Sequence, residues 1–128
     1  MLRILKGFSS DLESNLDIGG YDAAHKLTLI TSLAYGAQID FDLNEVEGIE
    51  KITIEDINFV KHLGFRIKLI SECFLIDNMM YSSTKPKLIP LDKPLANVNG
   101  ALNAINVETD QLENLYLEGE GAGGVATA

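Results

Sequence analysis

Apolar and polar residues follow a helical period after a pair of glycines in the first third of the chain. Gly19 and Gly20 tolerate backbone angles that other residues resist, and no further glycine or proline occurs before Gly36. At about 100° per residue, this stretch has one apolar arc and one polar arc. The pattern predicts a glycine turn that leads into a helix ended by Gly36. The apolar arc holds Ala23, Leu27, Leu29, Ile30, Leu33 and Ala34, and the polar arc holds His25, Thr28, Thr31, Ser32 and Tyr35.

Two charged residues, Asp22 and Lys26, fall inside the apolar arc of this helix, one turn apart. Charges on a core-facing stripe are costly to bury unless they are paired and hydrogen-bonded. One interpretation is an i,i+4 ion pair whose side chains reach out from the edge of the core. The other is a lysine held by an aspartate at the mouth of a pocket and placed for proton transfer.

A second helix and a β-hairpin are predicted downstream. Thr53 has the character of an N-cap residue with acidic residues in the following turn, and the helix ends at Gly64. Residues 65–76 alternate in polarity, which indicates a strand with one wetter face. Asp77 and Asn78 form a candidate turn, and residues 79–84 return as the hairpin partner.

The remaining segments complete an α+β domain. Residues 1–8 have the pattern of the last turns of a helix, and residues 9–16 are polar and loop-like. Residues 85–95 contain all three prolines, which predicts an ordered extended loop. Residues 103–108 and 112–118 form a predicted strand pair. We expect helices packed on one face of a mixed, mostly antiparallel sheet, with residues 1–16 as a lead-in to a domain over residues 17–128.

Composition excludes several functional classes. The 128 residues are 46% hydrophobic and carry a net charge of −9 without a Lys or Arg cluster, so nucleic acid and anionic membranes are not expected partners. No apolar run approaches the ~20 residues of a membrane span. Cys73 is the single cysteine and there are two histidines, so neither a disulfide nor a structural zinc site is expected. These features fit a reducing cytoplasm.

The segment Asp-Ile-Gly-Gly-Tyr-Asp-Ala-Ala-His-Lys-Leu at residues 17–27 resembles the signature of homoserine dehydrogenases. A second run, Leu-Ala-Asn-Val-Asn-Gly-Ala-Leu-Asn-Ala at residues 95–104, is similar to another landmark of that family. The resemblance implies hydride transfer between a nicotinamide dinucleotide and aspartate semialdehyde or homoserine, in threonine and methionine biosynthesis. It implies that Lys26 donates a proton to the carbonyl oxygen, and that Asp22 helps to place the lysine and the substrate.

The resemblance also implies an acidic site for the substrate amino group. The family carries a glutamate before an Asn-Pro or Asp-Pro pair and then an aspartate aligned with Asp17, and this sequence has no such proline. By spacing, Asp11 takes the place of the glutamate; by residue type, Glu13 matches better and is preferred. Such a carboxylate would pair with the substrate ammonium through a charge-assisted hydrogen bond.

The cofactor implied by the resemblance is NADP or NAD, bound mainly by a dinucleotide-binding domain outside this sequence. A Gly-x-Gly-x-x-Gly fingerprint after a strand, which marks a Rossmann unit, is not expected in this chain. Gly121 and Gly123 match a family loop whose backbone N–H groups face the cofactor. The implied partners are an amino-acid substrate, a second copy in a homodimer and a separate dinucleotide-binding half.

Two alternative functions fit parts of the sequence. The first is a non-catalytic remnant that serves as an oligomerising or small amino-acid-binding module. The missing Rossmann unit and the absent Asn-Pro spacing favour it. The second is a different two-domain reductase with a similar sheet domain, against which the two family landmarks argue.

Overall fold

A computed structural model describes residues 5–7, 19–100 and 102–120 of the chain. Within these ranges the chain forms two α-helices and six strands, together with two short 3-10 turns at Phe41–Leu43 and Pro94–Asn97. The helices are α1 (Tyr21–Tyr35) and α2 (Ile54–His62); the strands are β1 (Leu5–Gly7), β2 (Asn44–Val46), β3 (Phe65–Ile76), β4 (Met79–Pro90), β5 (Leu102–Val107) and β6 (Leu115–Glu120).

The six strands form one sheet in the order β2-β4-β3-β1-β5-β6. Only β2 and β4 run parallel, and the other neighbours are antiparallel. The predicted α+β class with a mixed, mostly antiparallel sheet is therefore confirmed. The predicted pairing of the last two strands is also confirmed, although both strands begin and end at slightly different residues than expected.

The β3–β4 hairpin is the longest ladder of the sheet, with Phe65 opposite Pro90 and Ile76 opposite Met79. Its two-residue turn consists of Asp77 and Asn78, whose φ angles are 50° and 61°. Positive φ at both central positions matches the twist of a tight hairpin, and Asp and Asn tolerate it best after glycine. The predicted turn is confirmed.

The loop predicted over residues 85–95 is wrong for residues 85–90, which continue strand β4; Pro94 lies in the second 3-10 turn. Pro86 and Pro90 both lie in β4, opposite Leu69 and Phe65 of β3. The short strand β2 pairs with β4 only as far as Thr84, so β4 has no second described neighbour along its proline-containing half. Prolines four residues apart point their nitrogens to the same side of a strand, and an open side does not require an N–H donor.

The helix predicted over residues 1–8 is wrong for residues 5–7, which form strand β1. Lys6 lies opposite Ser71 of β3 on one side and Ile105 of β5 on the other. A three-residue strand has little local preference, but it gains backbone hydrogen bonds on both edges when it fills a gap in a sheet. The local apolar pattern carries no information about that gap.

The second helix begins and ends where the sequence predicts. Thr53 accepts a hydrogen bond from the backbone N–H of Asp56, and the Asp56 side chain accepts one from the Thr53 backbone, which together form a capping box. The chain leaves the helix at Gly64, whose φ of +85° is in the left-handed region that favours glycine.

The sheet separates two buried clusters. On one face, Leu27 of α1 packs against Cys73 of β3. On the other face, Ile70 packs against Leu95, Val98 and Ala104, so the loop around the second 3-10 turn covers that side. Within the part of the chain that the structure describes, no helix has the length and apolar content needed to span a membrane.

Candidate active site on the first helix

Helix α1 begins in direct contact with the sheet because of Gly20. This residue is buried and has a φ of +82°, and its carbonyl accepts the first helical hydrogen bond, from the N–H of Ala24 at 3.0 Å. A Cβ at Gly20 would lie 3.2 Å from Cγ2 of Thr84 and 3.5 Å from Cγ1 of Val46. Both the angle and the close approach require glycine, so Gly20 fixes the position of the first turn of α1.

The side of α1 that packs on the sheet is built mainly from small residues, together with Leu27. Ala23, Ala24, Leu27 and Thr31 are buried, whereas Leu29 is 66% exposed and Leu33 is 84% exposed. The prediction that these two leucines face the core is therefore wrong. The placement of Thr31 on the polar, solvent-facing arc is wrong as well, because its side chain is buried. Near the close approach at Gly20, Ala23 and Ala24 fit against the strands; Leu27 is buried one turn later, and Leu29 and Leu33 lie on the outside.

The exposed side of α1 carries the two charged residues singled out by the sequence. Nζ of Lys26 lies 2.7 Å from Oδ2 of Asp22, and the two side chains are 49% and 48% exposed. At about 100° per residue, Asp22, Lys26, Leu29 and Leu33 fall within an arc of about 60°. We call these four residues the outer stripe of α1.

The Asp22–Lys26 ion pair contributes little to folding. Half-exposed i,i+4 pairs stabilise a helix by only about 0.3–0.5 kcal/mol. The pair does, however, hold the Lys26 ammonium at a defined place on a rigid helix, with half of each side chain open to solvent. An oriented, accessible ammonium can donate a proton or a hydrogen bond to the oxygen of a bound molecule.

Residues beside Lys26 attach the following loop to α1. The ring of His25 stacks on the ring of Phe41 with a centroid distance of 4.0 Å and an interplanar angle of 10°. The backbone N–H of Ile39 donates a hydrogen bond to Oγ of Ser32 at 3.2 Å. These contacts connect two turns of the helix to the segment that enters β2, which restricts movement of α1 beside the ion pair.

The opposite face of the sheet carries other ion pairs, which the sequence motifs do not indicate. Glu72 of β3, only 5% exposed, pairs with Lys87 of β4, and Lys85 pairs with Glu45 of β2 at 2.7 Å. These side chains line a cavity of about 370 Å³. The alternation of β3 and β4 places them across the sheet from α1, so they cannot act on the same molecule as Lys26. The sequence signal that could have indicated these pairs is the spacing of Lys85 and Lys87, which lie two residues apart and so on the same face of a strand.

Two cations of β3 hold the loop that contains the second family-like landmark. Nζ of Lys68, whose side chain is fully buried, donates hydrogen bonds to the carbonyl of Val98 and to Oδ1 of Asn99. Arg66 donates a hydrogen bond to the carbonyl of Ala96 at 2.6 Å. This landmark is therefore a structural element anchored to the sheet, on the face away from the Asp22–Lys26 pair.

Cys73 behaves as a core residue. Its thiol is fully buried, and burial raises its pKa above the ordinary value of a thiol. A thiol with a raised pKa is a poor nucleophile at neutral pH. Among the described residues, no group of His, Cys, Asp and Glu is placed to bind a metal ion.

The other predicted site residues lie outside the described residues: Asp11, Glu13, Asp17, Gly121 and Gly123. Gly119, Gly121 and Gly124 have the spacing of a Gly-x-Gly-x-x-Gly fingerprint. The strand that precedes them, β6, pairs antiparallel with β5, whereas the Rossmann fingerprint follows a strand of a parallel βαβ unit. The expectation that no such spacing follows a strand is therefore wrong, but β6 itself is not a strand of a parallel βαβ unit.

Comparison with known proteins places the chain in a class of α+β domains from oxidoreductases. The family model for homoserine dehydrogenase matches residues 7–128. The chain belongs to the homoserine dehydrogenase family.

The similarity extends over nearly the whole chain but only part of each relative. Homoserine dehydrogenase of Pseudomonas aeruginosa is 39% identical over 119 residues, which are 93% of this chain and 27% of that protein. The enzyme of Helicobacter pylori is 40% identical over 121 residues, 93% of this chain and 28% of that protein. The crystal structure of a homoserine dehydrogenase from Thiobacillus denitrificans superposes with a TM-score of 0.86 at 29% identity, covering 98% of this chain and 36% of that one.

Proposed function

We propose that this chain supplies the substrate-binding and dimerisation domain of a homoserine dehydrogenase, formed by residues 17–128. The complete enzyme would interconvert L-aspartate 4-semialdehyde and L-homoserine with NADPH or NADH, in threonine and methionine biosynthesis. The chain spans about a quarter of the length of the curated relatives that it matches. The activity therefore requires a dinucleotide-binding unit in addition to these 128 residues.

The observation that carries this proposal is the Asp22–Lys26 pair on α1, at 2.7 Å and half open to solvent. In the reducing direction, Lys26 donates a proton from Nζ to the carbonyl oxygen as that oxygen gains negative charge. Asp22 acts as the positioning residue that keeps the ammonium directed along the outer stripe. The nicotinamide cofactor supplies the hydride.

The accessibility of the pair fits a cofactor that is held by another unit. A nicotinamide ring presented from outside the chain can reach a substrate beside Lys26, because about half of each side chain of the pair is open to solvent. Among residues outside the described ranges, Gly121 and Gly123 are proposed to offer backbone N–H groups to the cofactor. Either NADP or NAD is compatible with these residues.

The substrate amino group requires an anionic partner, for which we propose Glu13, with Asp11 as the alternative, together with Asp17. These carboxylates precede Gly19 and Gly20 by a few residues, so they are close in sequence to the first turn of α1. A carboxylate there and the ammonium of Lys26 would bind the two ends of the amino-acid substrate. We further propose a cytoplasmic homodimer.

The test measures NADPH and NADH oxidation that depends on aspartate semialdehyde. Two proteins are compared: the 128-residue chain, and a chimera in which this chain replaces the segment of the Pseudomonas aeruginosa enzyme that it matches, called the graft below. We expect turnover by the graft and none by the isolated chain. A folded graft without turnover would contradict the proposal and favour the non-catalytic remnant.

A further inference from the structure

The outer stripe of α1 has an apolar half that the proposed chemistry does not use. Leu29 and Leu33 are 66% and 84% exposed, although both are large aliphatic residues on the longer helix of the fold. They continue the line of Asp22 and Lys26 along the helix, with Leu33 about 10 Å beyond Lys26 at a rise of about 1.5 Å per residue. A row of exposed leucines on a helix is a common form of contact surface for another folded unit.

We infer that Leu29 and Leu33 form the docking surface for the unit that binds the dinucleotide. This inference rests on the proposed function. A hydride donor must contact the same substrate carbon whose oxygen Lys26 protonates, so the unit that carries the donor must lie over the first two turns of α1. Leu29 and Leu33 lie on the same 60° arc, about one and two turns after Lys26 at about 100° per residue. A unit that covers Lys26 and extends along the helix would therefore contact these leucines.

The opposite side of α1 cannot serve this purpose. Ala23, Ala24, Leu27 and Thr31 are already buried against the sheet, and Gly20 fixes the helix there. The loop from Gln38 to Phe41 lies along the His25 side of the helix and is attached to it by the His25–Phe41 stack. Access for another unit is therefore from the outer stripe.

The partner that fits this surface has an apolar patch beside the edge of its nicotinamide site. The N-terminal half of the stripe is charged and serves the substrate, and the C-terminal half is uncharged and suits packing without desolvating an ion. A docking contact next to the reacting atoms would fix the distance between the two units. It would also exclude water from the substrate once they meet.

Thiol footprinting tests this inference with little background from the chain. Cys73 is the single cysteine of the sequence and is fully buried. Leu29→Cys and Leu33→Cys are made separately in the isolated chain and in the graft, and labelling by a water-soluble maleimide is followed by peptide mass spectrometry. Phe59→Cys on α2 is the matched control, because Phe59 is 65% exposed and also lies on a helix.

We expect both leucine-site thiols to react rapidly in the isolated chain and at least tenfold more slowly in the graft, with less than threefold change at position 59. Equal labelling of the leucine sites in both proteins would overturn the inference. Slow labelling in the isolated chain would also overturn it, since a second copy would then cover the stripe. If the graft is insoluble, the same labelling is read on the isolated chain mixed with a separately expressed dinucleotide-binding part of the Pseudomonas aeruginosa enzyme.

The labelling experiment and the activity assay test separate claims, so one can be contradicted while the other holds. If the thiols at positions 29 and 33 are protected in the graft but the graft has no turnover, the docking surface is supported and the proposed reaction is contradicted. If the graft reduces aspartate semialdehyde while the thiols at positions 29 and 33 are not protected, the proposed reaction is supported and the docking surface is contradicted.

Discussion

Gly20 and Thr84 approach each other so closely that a Cβ at Gly20 would lie 3.2 Å from Cγ2 of Thr84. This contact joins the start of α1 to the middle of β4, and it sets the height of α1 above the sheet. Few real Cβ contacts are that short, so a side chain at position 20 would displace the helix, the strand or both.

Gly20→Ala should therefore lower the free energy of unfolding by about 1–3 kcal/mol. The left-handed angle alone costs about 1–2 kcal/mol for a residue with a Cβ, and the Thr84 contact adds to it. Gly64→Ala is the matched control, because Gly64 has a φ of +85° but a Cβ there would meet nothing within 4 Å. Urea denaturation of both variants measures the difference. Equal losses would show that the Thr84 contact has no energetic effect.

Lys68 should be among the most sensitive positions of the fold. Its side chain is fully buried, and its ammonium donates to the Val98 carbonyl and to Asn99. Lys68→Ala removes that donor and leaves a cavity, which should cost about 2–4 kcal/mol of unfolding free energy. Lys93→Ala, at an exposed lysine just before the same loop, should change it by less than about 0.5 kcal/mol. A similar small effect at Lys68 would contradict the anchoring role.

The capping box of α2 should make stability depend on pH. Hydrogen bonds from the backbone and side chain of Thr53 hold the pKa of the Asp56 carboxyl below its usual value of 3.8. A carboxyl whose pKa is lowered by folding stabilises the native state above its unfolded pKa, and this stabilisation is lost as the pH falls through the lower, folded pKa.

Calorimetry of the wild type and Asp56→Asn should therefore show a Tm difference at pH 7 that shrinks as the pH falls below about 4. Glu55→Gln is the control for helix-dipole charge, since it removes an acid from the same turn but no capping bond. A Tm difference that stays constant from pH 7 to pH 3 would show that the Asp56 hydrogen bonds do not depend on its charge.

The two candidate acids for the substrate amine can be separated kinetically in the graft. Glu13→Gln should raise the KM for aspartate semialdehyde about 10- to 150-fold, because a hydrogen bond to a charged group is worth about 1.5–3 kcal/mol. Asp11→Asn should change it less than threefold. The reverse ranking would assign the role to Asp11, as the spacing suggests. Steady-state kinetics at saturating NADPH distinguishes the two.

Local sequence patterns predicted where helices, strands and turns occur better than they predicted which side of α1 faces the sheet. The glycine turn, both helices, the Asp77-Asn78 hairpin and the final strand pair follow from residues close in sequence. The side of α1 that meets the sheet was not predictable, because it depends on the close approach at Gly20, which places Ala23 and Ala24 against the strands. An apolar arc also does not show which of its residues another unit will cover.

The topology of the sheet accounts for the remaining differences. Pro86 and Pro90 fit in β4 because β2 ends opposite Thr84, which no pattern in the proline segment reveals. Strand β1 exists because β3 and β5 leave a gap for it. The spacing of Asp22 and Lys26 did predict their ion pair, since residues four apart on a helix are neighbours.

The most direct test of the account is Lys26→Ala in the graft. Loss of a general acid should lower kcat for aspartate semialdehyde reduction by about 100-fold or more, while urea denaturation shows nearly unchanged stability. Lys51→Ala, at another exposed lysine, should leave kcat unchanged. A Lys26→Ala graft with kcat within threefold of the parent would contradict the assignment of Lys26 as the proton donor.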